Sequence, residues 1–149
     1  MYIVKVNGSD KLKYKKLLLI ADEQMDMIEK YLYCGDMFAL CDEDVRAVCV
    51  VTQEQAGVYE IKNIATDPKH QRKGYGKMLL SFIINHYRSV GTVIYVGTGD
   101  VPDILNFYKK SGFTKSHIVK NFFINNYDHP IYEDGKQLVD MIYLKRVLI

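Results

Sequence analysis

Apolar residues come in short alternating bursts over much of the chain and take helical spacing in three places. Tyr2 to Val6 reads as a strand, and Asn7-Gly8-Ser9-Asp10 as a turn able to cap a helix. Tyr14, Leu17, Leu18, Ala21, Met25, Ile28 and Leu32 then fall on one helical face. Lys11, Lys13, Lys15 and Lys16 lie largely off that face, as a solvated side would. Asp22-Glu23 interrupts the run as a second cap, so one bent helix or two short ones both fit. Beyond Gly35-Asp36, Met37 to Cys41 and Val45 to Thr52 predict a hairpin through the acidic turn Asp42-Glu43-Asp44. Gln53 to Gly57 turns the chain into a further strand, Val58 to Thr66, which completes an antiparallel meander.

The second half alternates strand and helix. Leu79, Leu80, Ile83, Ile84 and Tyr87 line a helix face that ends near Gly91. Thr92 to Val96 is a β-branched run expected of a strand buried on both faces. Pro102 and Asp103 open a helix carrying Ile104, Leu105, Phe107 and Tyr108, which stops at Ser111-Gly112. Phe113 starts another strand, Asn125 to Gly135 reads as loop, and Leu138 to Leu148 as the final strand. This order predicts a mixed α/β fold: one largely antiparallel sheet of seven strands, made mixed by a strand-helix-strand crossover, with helices on both faces.

Composition narrows the function classes. A chain of 149 residues is expected to be one domain, residues 1–149, with a real core. A net charge of +2 speaks against nucleic-acid binding on bulk electrostatics. No apolar run reaches membrane-spanning length, and the N-terminus lacks a signal-peptide layout, so no membrane partner is expected. Cys34, Cys41 and Cys49 form no even framework and no close Cys/His pairing. They read as reduced, buried thiols of a cytoplasmic protein without a metal site. The 12 tyrosines beside no tryptophan are a skew with no functional reading at this level.

The densest chemical signal is Ile64 to Lys77. A strand ends at Asp67-Pro68, charged and amide residues follow, and Gly74-Tyr75-Gly76 opens a helix. First-turn N–H groups lack helical partners and carry the positive end of the helix dipole, and glycines let an anion approach them. Arg72, Lys73 and Lys77 add full charges. A P-loop fails because Gly76-Lys77 precedes Met78 instead of a hydroxyl residue. A dinucleotide fingerprint fails because Gly74-x-Gly76 and Gly97-x-Gly99 meet Leu79 and Pro102 where a third glycine belongs.

Gln71-Arg72-Lys73-Gly74-Tyr75-Gly76 resembles the Gln/Arg-x-x-Gly-x-Gly/Ala signature of the GNAT superfamily of N-acetyltransferases. Its setting supports the resemblance: Glu60 to Thr66 as a strand before it, a helix after it, and Asn106-Phe107-Tyr108 to Gly112-Phe113 similar to the superfamily's helix ending in Gly-Phe. The specific likeness covers Val58 to Phe113. It implies that acetyl-coenzyme A is the co-substrate, with no metal. Its pyrophosphate would lie on the backbone of Gln71, Arg72, Lys73, Gly74, Tyr75, Gly76 and Lys77. Its pantetheine arm would pair near Ile64, Ala65 and Thr66 where two central strands splay, and Asn106 would contact its amides or simply face solvent.

The implied reaction is direct acyl transfer from a thioester to a primary amine of a small molecule or protein, through a ternary complex. An amine of reference pKa about 10.4 is unprotonated at pH 7 about once in 2,500 molecules, a penalty of roughly 4–5 kcal/mol. A general base therefore helps. Glu60 stands at the offset of the catalytic glutamate of histone-acetylating members; it also reads as a strand carboxylate paired with Lys62. Backbone N–H groups near Ile64 to Thr66 would stabilise an oxyanion. Tyr108 matches the superfamily's general-acid tyrosine; it also reads as a packing aromatic. Asn121 to Pro130, aromatic and amide-rich, is expected near the acceptor as a strand and loop. As a strand, it would send Phe122 and Phe123 to opposite faces. Glu133 and Asp134 would attract a cationic amine or form a solvated turn. The resemblance is compatible with a homodimer on the exposed edge of the last strand. An alternative is a non-catalytic module that senses or scaffolds an acyl-coenzyme A.

Overall fold

A computed structural model describes all residues, 1–149. The elements are β1 (Tyr2–Val6), a 3-10 segment (Gly8–Tyr14), α1 (Lys15–Ala21), α2 (Met25–Leu32), β2 (Asp36–Asp42), β3 (Asp44–Gln55) and β4 (Val58–Thr66). A 3-10 turn (Pro68–His70), α3 (Tyr75–Arg88), β5 (Val93–Thr98), α4 (Pro102–Lys110) and β6 (Thr114–Val119) follow. The chain closes with α5 (Phe122–Asn126), the short strands β7 (Tyr132–Glu133) and β8 (Lys136–Gln137), and β9 (Met141–Val147).

Seven strands form one sheet in the order β1-β2-β3-β4-β5-β9-β6. Every neighbouring pair is antiparallel except β4 with β5, which α3 connects as a crossover. The mixed, largely antiparallel sheet is the one the pattern predicts. One face packs on α3 and α4 through Leu79, Leu80, Ile83, Leu105 and the buried residues of β3, β4 and β5. The other packs on α1 and α2 through Leu18, Ile28, Leu32, Met37, Val48 and Val50. Each fully buried Leu or Ile contributes roughly 1.5–3 kcal/mol of transfer free energy, so both helix pairs are held by their apolar stripes.

Several sequence expectations are corrected. Of the two readings left open for the run up to Leu32, two short helices are found, because the chain is extended at Asp22 and Gln24, while Tyr14 ends the 3-10 segment before them. Lys11 does not belong to a solvated face. It is 6% exposed, and its Nζ donates to the carbonyls of Leu32 and Gly35 at 2.8 and 2.6 Å, capping the open end of α2 from a distant segment. The three cysteines are unpaired, but only Cys49 is buried; Cys41 is half-buried and Cys34 exposed. In β5, only Ile94 and Val96 are buried, since α1 and α2 cover the sheet no further than β4 and leave Tyr95 beside His117. Phe122 and Phe123 lie on a short helix, with rings edge to face at 5.4 Å, and not on opposite faces of a strand. The last strand begins at Met141 and is no edge: it pairs with β5 on one side and β6 on the other.

A bulge in β4 positions the rest. Val50 pairs with Asn63 and Val51 with Ile61, so Lys62 is an extra residue on the β4 side. Tyr59 and Ile61 therefore face α3, whereas Asn63 and Ala65 face α1. In a regular strand, all four would share one face. Pairing of β4 with β5 also stops at Ile61 opposite Val96, although β4 runs on to Thr66 and β5 to Thr98. The sheet is split from there.

Candidate active site

The split opens a cleft of about 1110 Å³. At one end lie the close of β4 and the start of α3. Gln71 Nε2 donates to the Thr66 carbonyl at 3.4 Å, Arg72 takes a left-handed φ of 64°, and Gly74 caps α3 at φ 87°. The first backbone bond of α3 runs from Met78 N–H to Gly74 O. The N–H groups from Gln71 to Lys77 find no acceptor in the chain. Gly76 allows the close approach: a Cβ there would sit 3.2 Å from Thr66 Oγ1 and 3.6 Å from the Phe107 ring. Tyr75 fixes the cradle from outside, its hydroxyl donating to Asp42 Oδ2 at 2.6 Å on the β2–β3 hairpin.

The structure brings most of the expected site residues to this cleft. Ile64, Ala65, Thr66, Gln71 and Arg72 line it, as do Gly74, Tyr75, Gly76 and Lys77. Lys73 does not; it is exposed, with Nζ 3.4 Å from His70 Nδ1. Asn106 is exposed on α4 and also lies outside.

Glu60 and Tyr108 stand on the cleft wall beyond the cradle. Glu60 Oε2 meets Lys62 Nζ at 2.8 Å and the Tyr143 hydroxyl at 3.5 Å, so the strand-carboxylate pairing exists. Glu60 Oε1 meets no donor of the chain. Burial, then the charges of Glu60 and Glu54, push the Tyr143 phenol up to about 12, and its ring stacks on His117 at 4.6 Å. Tyr108 is 5% exposed, wedged edge to face between Phe107 and Phe113. Burial raises its pKa and keeps the phenol protonated through neutral pH.

Sequence reasoning missed a second polar cluster of the cleft. Asp22, Tyr31, Asn63 and Tyr127 meet there, with Tyr31 and Tyr127 donating to the Asp22 carboxylate. The tyrosine excess was a usable signal: Tyr31, Tyr75, Tyr108, Tyr127 and Tyr143 all line this one cleft. The aromatic, amide-rich stretch does reach it through Phe122, Phe123, Asn126 and Tyr127.

A cleft with cationic residues and open N–H groups at one end and buried acid–base groups beyond can hold an anionic cofactor and act on a second molecule beside it. Comparison with known proteins agrees with this layout. Residues 34–115 match the family described as acetyltransferase (GNAT) domain. An N-acetyltransferase of Bacillus subtilis named YvbK is 35% identical over 131 residues, covering 86% of this chain and 84% of that protein. A GNAT family acetyltransferase from Elizabethkingia anophelis, solved with acetyl-CoA bound, superposes with a TM-score of 0.92 at 32% identity over 98% of this chain and 97% of its own. A Bacillus subtilis acetyltransferase in complex with CoA gives 0.90 at 31% identity over 99% and 98%. The chain belongs to the GNAT superfamily of N-acetyltransferases.

Proposed function

We propose that this protein transfers an acetyl group from acetyl-coenzyme A directly to a primary amine, with both substrates in the cleft at once. The observation that carries the reading is the split between β4 and β5 opening onto the unpartnered N–H groups of Gln71 to Lys77. These residues fit the group. The α3 N-terminus accepts the pyrophosphate on backbone N–H groups, and Arg72 and Lys77 add charge. The β4 backbone from Ile64 to Thr66, paired with β3 but free on its β5 side, takes the pantetheine arm. The side chains of Lys73 and Asn106, outside the cleft, have no part in the proposal.

Acetyl-coenzyme A, when bound, supplies the thioester carbonyl. Glu60 receives the amine proton at Oε1, directly or through water, while Lys62 and Tyr143 hold its other oxygen. An N–H of the split β4 stabilises the charge that develops on oxygen. Tyr108 donates the proton that the departing thiol needs; burial keeps that proton in place until then. The unpaired cysteines fit a reducing cytoplasm. A panel of primary amines incubated with acetyl-coenzyme A, followed by thiol release, tests the proposal. Release that depends on the amine is expected. Tight coenzyme binding with no release across the panel, or trapping of a competent acetyl-cysteine, would overturn it.

A further inference from the structure

A second polar cluster of the cleft is built around Asp22, at the junction of α1 and α2. Tyr31 of α2 donates to its Oδ2 at 3.0 Å, and Tyr127, 105 residues along the chain, to its Oδ1 at 2.8 Å. The Gln24 backbone N–H also donates to it. All three donors are neutral, and the ion pairs of the chain leave Asp22 without a cation. Beside it, Asn63 is 3% exposed and lines the same cleft. Its Nδ2 is committed to the Leu18 carbonyl at 2.9 Å and the Tyr31 hydroxyl at 3.1 Å, while its Oδ1 is buried without any donor. A carboxylate without a counter-ion and an amide oxygen without a donor call for the same complement, a donor-only cation.

The amine that attacks the thioester cannot be that cation, because a carboxylate partner keeps its proton on. The occupant must carry a second charge. Its size is limited by the roof: Tyr127 binds Asp22, Asp128 N–H donates to Gln24 Oε1 at 3.0 Å, and His129 Nε2 lies 3.6 Å from Glu23 Oε1. These contacts tie the loop after α5 onto the α1–α2 junction, which suits a small molecule better than a protein chain. Glu23 and Glu133 also line the cleft and add negative charge to it.

We propose that the acceptor is a small diamine, one ammonium of which pairs with Asp22 while the other nitrogen, deprotonated, receives the acetyl group. The inference rests on the acetyl-transfer reading above. It accounts for a charge retained at a cost: burial raises the Asp22 pKa despite its two phenol donors, and a bound cation offsets that penalty.

Diaminopentane and pentylamine, matched in length and differing by one terminal ammonium, test it in the thiol-release assay beside a lysine-containing peptide. Wild-type protein should prefer the diamine in kcat/KM by about tenfold or more, and Asp22→Asn should erase most of that preference through KM. Because the preference is a ratio on one preparation, partial unfolding of the variant cancels. Equal kcat/KM for the two amines on the wild type, loss of both in equal proportion in Asp22→Asn, or a peptide favoured over the diamine overturns the inference alone. No thiol release with any of the three overturns the acetyl-transfer reading and the inference with it.

Discussion

Asp22 is the residue at which stability and function pull apart. Burial disfavours its charged form more than the hydrogen bonds from Tyr127, Tyr31 and the Gln24 N–H favour it, so its folded pKa lies above the unfolded value of about 3.8. The sign follows by linkage: the protonated carboxyl adds stability below the unfolded pKa, and this is lost as pH rises through the folded one. Asparagine does not titrate. Urea unfolding of Asp22→Asn and wild type between pH 3 and pH 7 should therefore show the difference moving steadily in the variant's favour as pH rises. A difference that moves the other way would mean that these hydrogen bonds outweigh the burial. Glu60 shows a different limit. Its offset from Gln71 was readable in the sequence, but its partner Tyr143 lies 83 residues away and was not.

At the scale of elements, the loop into α3 was legible because glycine spacing and first-turn N–H geometry are local. Gly76→Val would press a branched side chain on Thr66 and Phe107 and should weaken coenzyme affinity by about tenfold or more in calorimetry. Lys73→Ala, outside the cleft, should change it by less than about threefold. The reverse order would show that side-chain charge holds the anion. The β4 bulge could not be placed from the sequence: Lys62-Asn63 breaks the alternation of Glu60 to Thr66, but only the register against β3 identifies the extra residue. The same is true of Lys11, whose local sequence is a lysine-rich surface. Lys11→Met should cost roughly 1–3 kcal/mol in urea unfolding, since it leaves two carbonyls at the end of α2 without a donor. A loss within about 0.5 kcal/mol would show that water replaces the ammonium.

At the scale of the molecule, the seven-stranded mixed sheet and its two helical layers follow from hydrophobic period and connection length, which the chain states openly. What stays hidden is which distant segments close the cleft. α5 reads as strand because its five residues are too few to show a helical period. The expected outer edge belongs to β6 because β9 returns between β5 and β6. The result is one cleft lined by open N–H groups and cations, by the cluster of Asp22, Tyr31 and Tyr127, and by Tyr108 and Glu60. In the proposed direct transfer, Tyr108 delivers the proton to the departing thiol. Steady-state thiol release by Tyr108→Phe, measured beside its coenzyme affinity, tests it most directly. The variant's kcat should fall by roughly 10²-fold or more, with its coenzyme Kd within about twofold of the wild type. An unchanged kcat, or a fall matched by an equal loss of coenzyme binding, would contradict it.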